Sequence, residues 1–264
     1  MVEIHPTAIV EPGAELGRGV KIGAYCLVGP KVKLGDEVEL MGHVCIAGNT
    51  TIGARSRLFP YAVIGYPPQD MKYRGEDTRL EIGSDNVIRE QVTMHPGTVG
   101  GGGLTRVGDR GLFMIGSHVA HDCKVGNNVV MVNHATLGGH VQVGDYAILG
   151  GLVAIHQFVR IGPYAMIGGM SGVEADVIPY GMVVGDRARL NGLNVIGLKR
   201  RNFARQDIQA LRTAYRLMFA QEGTMAERLD DVAALYPDNA AVKAIIDFIR
   251  GADARALTLP KPDK

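Results

Sequence analysis

The stretch IHPTAIVEPGAELGRGVKIGAYCLVGPKVKLG, residues 4–35, carries an aliphatic side chain at every sixth position: Ile4, Val10, Leu16, Ile22, Val28 and Leu34. The count continues without a miss through Leu40, Ile46, Ile52 and Leu58 to Ile64. Ile82, Ile88 and Met94 keep the phase, and after a one-residue shift the series resumes at Val107 and runs through Val119, Leu137 and Ile155 to Val173. Gly often follows the anchor (Gly17, Gly23, Gly29, Gly35, Gly53), and the position four on is small or branched (Ala8, Ala14, Val20, Cys26). A period of six is the hexapeptide signature of a parallel β-helix. Each hexad supplies one short strand and a corner, with the anchor pointing inward and Gly tolerating the corner conformation. Three hexads close a triangular coil, so residues eighteen apart stack at about 4.8 Å, the spacing of neighbouring strands. The anchors imply eight or nine coils and a partial one near Pro179.

Two segments break the count. GYPPQDMKYRGEDTRLE, 65–81, replaces two hexads by a loop, and GTVGGGGLTR, 97–106, is a glycine loop that shifts the phase. Loops thrown out of a rigid solenoid are where function concentrates, although a glycine run reads first as a flexible excursion. The expected organisation is a β-helix over 1–186 with these two insertions, followed by a helical C-terminal domain over 187–264. In that region RQDIQALRTAYRLMFAQ, 205–221, places Ile208, Leu211, Tyr215, Leu217 and Met218 on one face. Thr224 and Glu227 form a capping box, Asp238 caps the last helix, Gly251 ends it, and the tail TLPKPDK frays.

With Lys plus Arg at 28 and Asp plus Glu at 27 there is no overall field to argue for nucleic acid or a membrane surface. The three cysteines, Cys26, Cys45 and Cys123, form no CxxC pair and suit a reducing cytoplasm. The start MVEIHPTAIVEPG has no signal-peptide pattern, and no apolar run reaches membrane-spanning length, so the protein is expected to be neither exported nor membrane-spanning.

The stacking rule locates the chemistry. Val119, Leu137 and Ile155 are equivalent anchors, so His121 lies under Gly139 and Gln157, Asp122 under His140 and Phe158, and Ala120 under Gly138 and His156. His118, His121, His140 and His156 therefore converge on one edge. A histidine beside a carboxylate is a candidate general base, and a free backbone N–H at Gly139 can serve an oxyanion. Zinc held by a closely spaced HxxxxH pair is the rival use, but no two histidines are five apart. No metal or bound cofactor is expected. Cys123 sits in the small-residue slot and reads as packing. The basic run LKRRNFARQ, 198–206, precedes a helix start, where the helix dipole leaves room for a bound anion.

With SHVAHDCKVG, AGNTTIG, GGHVQVGD, AIHQFVRIG, LNVIGLKRR and the PPQDMKYRGE loop in order, the whole chain closely resembles the UDP-N-acetylglucosamine acyltransferases that begin lipid A synthesis. The resemblance implies a left-handed parallel β-helix homotrimer with sites between subunits. It implies transfer of an (R)-3-hydroxyacyl group from acyl carrier protein to the glucosamine 3-hydroxyl of UDP-N-acetylglucosamine. It makes His121 the general base, Asp122 its orienting group and Gly139 the oxyanion donor. His118, His140, His156 and Gln157 would line the sugar and phosphopantetheine positions, and Gln69, Asp70 and Lys72 would reach the substrate from the inserted loop. Asn194, Arg200 and Arg201 would hold the nucleotide diphosphate, and Gly169 falls where side-chain bulk sets acyl length. Ile196 stands where well-known members carry a glutamate near the uridine. Alternatives left open are a 3-amino sugar acceptor, the later N-acyltransferase of the pathway, whose extra N-terminal domain has no counterpart before Ile4, a metal-dependent hydratase, and a non-catalytic solenoid.

Overall fold

The computed structural model describes residues 1–251 and 256–261. Three parallel faces run the length of a triangular prism, with 11, 9 and 8 strands among the described residues. Most strands are two residues long, an outward residue followed by the anchor, as in His118–Val119 and Thr136–Leu137. The anchors stack in register, Val119 on Leu137 on Ile155, and are fully buried at Met131, Leu137 and Leu149. Each buried aliphatic contributes about 1.5–3 kcal/mol. The expected left-handed parallel β-helix, mainly β and followed by a small helical region, is the fold observed.

The corners correct one expectation. The residues in the left-handed backbone region are mostly not glycine: Asp122, His140 and Phe158 have φ of 61°, 63° and 67°, and Tyr146, Tyr164 and Tyr180 repeat this at another edge. Each such residue costs about 1–2 kcal/mol of strain, offset because its N–H donates to the coil beneath, His140 to His121 O and Phe158 to Gly139 O, both 3.0 Å. The glycines that follow the anchors serve close approach instead. A Cβ on Gly23 would lie 2.1 Å from the Met41 carbonyl of the next coil.

Both loop boundaries also move. Arg79–Ile82 and Leu104–Val107 are four-residue strands paired with each other, because Leu80 and Thr105 turn inward and are fully buried. The first insertion therefore ends before Arg79 and the second before Leu104, and the coil across the glycine loop stacks residues 25 apart rather than 18. The glycine loop is no loose excursion: it contains a 3-10 turn, Val99–Gly101.

Arg189–Leu193 returns antiparallel to Gly181–Val184 on the first face. Helices α1 (Val195–Arg200), α2 (Arg205–Met218), α3 (Met225–Leu235) and α4 (Ala240–Arg250) follow. On α2 the buried face is Ile208, Leu211, Ala214 and Met218, while Leu217 is exposed. The Thr224–Glu227 capping box is present. The cap of α4 is Asn239, whose side chain accepts from Val242 N–H, and not Asp238. The basic run precedes α2, which begins at Arg205, as expected, but Lys199 and Arg200 also occupy the last turn of α1, where cations suit the dipole. Nor does the tail fray at its start. Thr258 N–H bonds Asp176 O and Leu190 N–H bonds Leu259 O, tying the chain back to the solenoid; residues 262–264 lie outside the described residues.

Candidate active site

The edge between the second and third faces is built by the turn from His118–Val119 to Lys124–Val125. There the Asp122 carboxylate is almost wholly buried, with 1% of its side chain exposed. Its Oδ2 accepts a 2.7 Å hydrogen bond from His121 Nδ1. A carboxylate only accepts, so Nδ1 carries the proton and the lone pair lies on Nε2, the tautomer a general base requires. The His121 side chain is 17% exposed, enough for a substrate to reach. Gly139 stacks on the imidazole: a Cβ there would lie 2.6 Å from His121 Cε1. Its N–H bonds no acceptor among the described residues.

Three further imidazoles surround this pair. His140 packs edge-on against His121 with ring centroids 5.2 Å apart, and Phe158 stacks on His140 at 4.3 Å. His118 lies edge-on to His95 at 5.2 Å, with its Nδ1 2.7 Å from Thr93 Oγ1. Burial, then repulsion from His95 and His121, pushes His118 down to about 4. Burial likewise lowers His95, and it lowers His140 against the opposing pull of Asp122. All three shifts favour the neutral imidazole.

His95 was invisible to eighteen-residue stacking. The longer coil places it beneath Ala120, since Met94 pairs with Val119, and reading the loop as part of the coil would have found it. Its Nδ1–H donates 2.9 Å to Tyr66 O, pinning the first insertion to the site. From that loop Asp70 comes close enough to raise His140 slightly and accepts Lys72 N–H at 2.9 Å, while Gln69 and Lys72 are exposed. His156 and Gln157 are exposed on the same edge, His156 Nδ1 donating to Gln157 O at 3.1 Å.

His121, Asp122 and His140 place potential ligand atoms within 4.8 Å of one another. Asp122, however, already accepts from Thr98 N–H, the Thr98 hydroxyl and His121. A metal held through Oδ2 would have to displace the Thr98 hydroxyl or His121, so the donor set fits a hydrogen-bonded pair better than a cation cage.

The chain is 55% identical over 260 residues to an acyl-[acyl-carrier-protein]–UDP-N-acetylglucosamine O-acyltransferase of Caulobacter vibrioides, covering 98% of this chain and 99% of that one. This chain belongs to that acyltransferase family. A family model described as UDP N-acetylglucosamine O-acyltransferase, domain 2, matches residues 176–258. Solved structures of UDP-N-acetylglucosamine acyltransferases from Moraxella catarrhalis and Francisella novicida superpose with TM-scores of 0.93 and 0.94. They are 41% and 34% identical and cover 97% and 100% of this chain and 99% and 95% of their own.

The remaining residues that resemblance to these acyltransferases singles out stand on other edges of the prism. Asn194 caps α1, accepting from Gly197 N–H, and its Nδ2 donates 3.0 Å to Tyr164 O. Arg201 lies over the Tyr146 ring at 4.3 Å. Tyr146 and Tyr164 form the edge between the third and first faces, with Arg200 exposed nearby on α1. Gly169 lies on the edge between the first and second faces, exposed, where a Cβ would meet Gly151 O at 3.2 Å and Gly151 N at 3.8 Å. An edge-to-edge span of six residues is roughly 20 Å at 3.3 Å per residue, so one copy of the chain does not unite the three groups.

Proposed function

We propose that this chain transfers an (R)-3-hydroxyacyl group from acyl carrier protein to the 3-hydroxyl of UDP-N-acetylglucosamine, with His121 as general base and no covalent enzyme intermediate. The observation that carries the reading is the 2.7 Å bond that fixes His121 Nδ1 on buried Asp122 directly beneath Gly139. His121 Nε2 takes the 3-hydroxyl proton as the oxygen attacks the thioester carbonyl. The Gly139 N–H bonds the carbonyl oxygen as it becomes an oxyanion. The carbon–sulfur bond then breaks, the ester remains on the sugar, and the imidazolium returns its proton to the departing thiolate. Asp122 stabilises the imidazolium in between, as an orienting carboxylate does elsewhere. Gln69, Asp70 and Lys72 close over the sugar with His118, His140, His156 and Gln157, and Asn194, Arg200 and Arg201 hold the diphosphate. Gly169 leaves room along the acyl chain.

The working unit in this reading is a homotrimer, acting in the cytoplasm, with each site shared between neighbours. Two observations support it. The candidate groups occupy three different edges of one prism, and the outward positions of the second face, from Ile9, Leu27, Cys45 and Val63 to Ala154 and Gly172, carry no Lys, Arg, Asp or Glu. On the third face the equivalent positions include Lys33, Glu81, Arg106 and Lys124. An uncharged face suits burial against another copy. No helix of the described residues is long and apolar enough to cross a membrane.

The experiment is to incubate the protein with UDP-N-acetylglucosamine or its 3-amino analogue and a ladder of 3-hydroxyacyl carrier proteins, reading products by mass spectrometry. An alkali-labile ester at the 3-position is expected. Exclusive amide formation on the amino analogue, or no transfer to either, would overturn the acceptor or the reaction.

A further inference from the structure

We propose that Thr98, at the start of the glycine loop, is a positioning residue for the His121–Asp122 pair, holding the carboxylate in the orientation from which it steers the base. The proposal rests on the reading of His121 as general base. Thr98 is itself buried, and it reaches Asp122 twice: its N–H donates 2.8 Å to Oδ1 and its hydroxyl donates 2.6 Å to Oδ2. Oδ2 is the same oxygen that accepts from His121. From the other side Asp122 N–H donates 2.7 Å to the Thr105 hydroxyl, which fixes the backbone of the corner.

The glycine run is what brings Thr98 there. The loop closes on the Thr98 carbonyl, which accepts from Gly101 N–H at 3.0 Å and Gly103 N–H at 2.8 Å. Gly101 passes so near that a Cβ would lie 2.0 Å from the Asp122 carboxyl carbon. A segment that reads in sequence as a flexible excursion is thus wrapped around a carboxylate.

Two bonds from one residue to both oxygens fix the rotation of the carboxylate, so that Oδ2 faces Nδ1. They also spread its charge, which tempers how strongly Asp122 favours the protonated imidazole. His140 Nε2 stands 3.8 Å from Oδ2, beyond hydrogen-bond reach, and is the neighbour that would take the vacated lone pair. The groups facing His121 are otherwise His95 and His118, with Asp70 acting through His140.

Thr98→Val removes only the hydroxyl and keeps the shape and the N–H bond. The test is the pH dependence of kcat/KM for Thr98→Val, Thr98→Ser and His121→Ala beside the unaltered protein. The acid limb of Thr98→Val is expected to move up by about half a pH unit to one unit, the size of one hydrogen bond to the charged form. Its KM for the sugar nucleotide should hold, and Thr98→Ser should restore the original profile. A Thr98→Val profile that superimposes on the original, or a serine variant as shifted as the valine one, overturns the proposal. Thr98→Ala gives the same readout should the valine variant not fold. An active His121→Ala would instead sink the general-base reading, so the two failures are distinguishable.

Discussion

At His121 little space surrounds the ring, and the proposed general base depends on that fit. Asp122 holds one side and Gly139 the other, and the glycine is required because any side chain would enter the imidazole's volume. Gly139→Ala is expected to lower kcat by at least about 100-fold, the scale of a misplaced base or lost oxyanion donor, with a melting temperature within a few degrees of the original. Steady-state kinetics beside a thermal melt would check both halves. His118 predicts a pH effect on stability. Its folded value of about 4 lies below the ordinary 6.5, so between these values the unfolded chain binds more protons. Stability therefore rises with pH across that window and is lost as pH falls from 6.5 toward 4, by up to about 3 kcal/mol per chain. Denaturant midpoints measured from pH 4 to 7 should flatten in His118→Asn, which keeps a polar partner for Thr93.

Elements matter here through the coils that break the rhythm. The regular coils obey a fixed stacking distance, which is why His121, Asp122, Gly139 and His140 could be brought together from sequence alone. His95 and Thr98 were not, because both belong to the coil lengthened by the glycine loop, where the stacking distance is 25 residues and emerges only when the loop is counted into the coil. Helix α1 escaped for a related reason: six residues carry less than two turns of periodicity, and its cations read as a run before the next helix. Caps were legible to within one residue, as Asn239 beside Asp238 shows, since both types accept from a helix N-terminus equally well. How the helices attach to the solenoid was not legible at all. Arg160 donates to buried Asp176 at 2.7 Å and to the carbonyls of Phe248 and Gly251 at the end of α4, and stacks on the Phe248 ring at 4.4 Å. These partners are far apart in sequence. Arg160→Met takes the countercharge away from buried Asp176 while keeping the 2.8 Å bond from the residue 160 N–H, which is expected to cost about 3–5 kcal/mol. Hydrogen exchange should show α4 losing protection before the coils do.

For the whole molecule, the central fact is that three groups of candidate residues lie on three edges of one prism. Head-to-tail packing of three copies around an axis is a closed arrangement that can bring different edges together. Leu27→Glu puts a charge on the uncharged second face, several coils from His121. It is expected to yield species near the single-chain mass of 28.2 kDa in sedimentation, with at least about a tenfold loss of transfer activity if assembly completes the site. The most direct measurement combines two inactive variants, His121→Ala and Asn194→Ala, unfolded together at equal amounts and refolded into mixed trimers. If His121 is the base and its site borrows Asn194 from a neighbour, random mixing restores about a quarter of the sites, because a quarter of neighbouring pairs join an intact His121 to an intact Asn194. Transfer activity near that fraction, from two preparations that are each inactive alone, is the predicted result. A mixture as inactive as its parents, or a His121→Ala trimer that is active alone, would contradict the account.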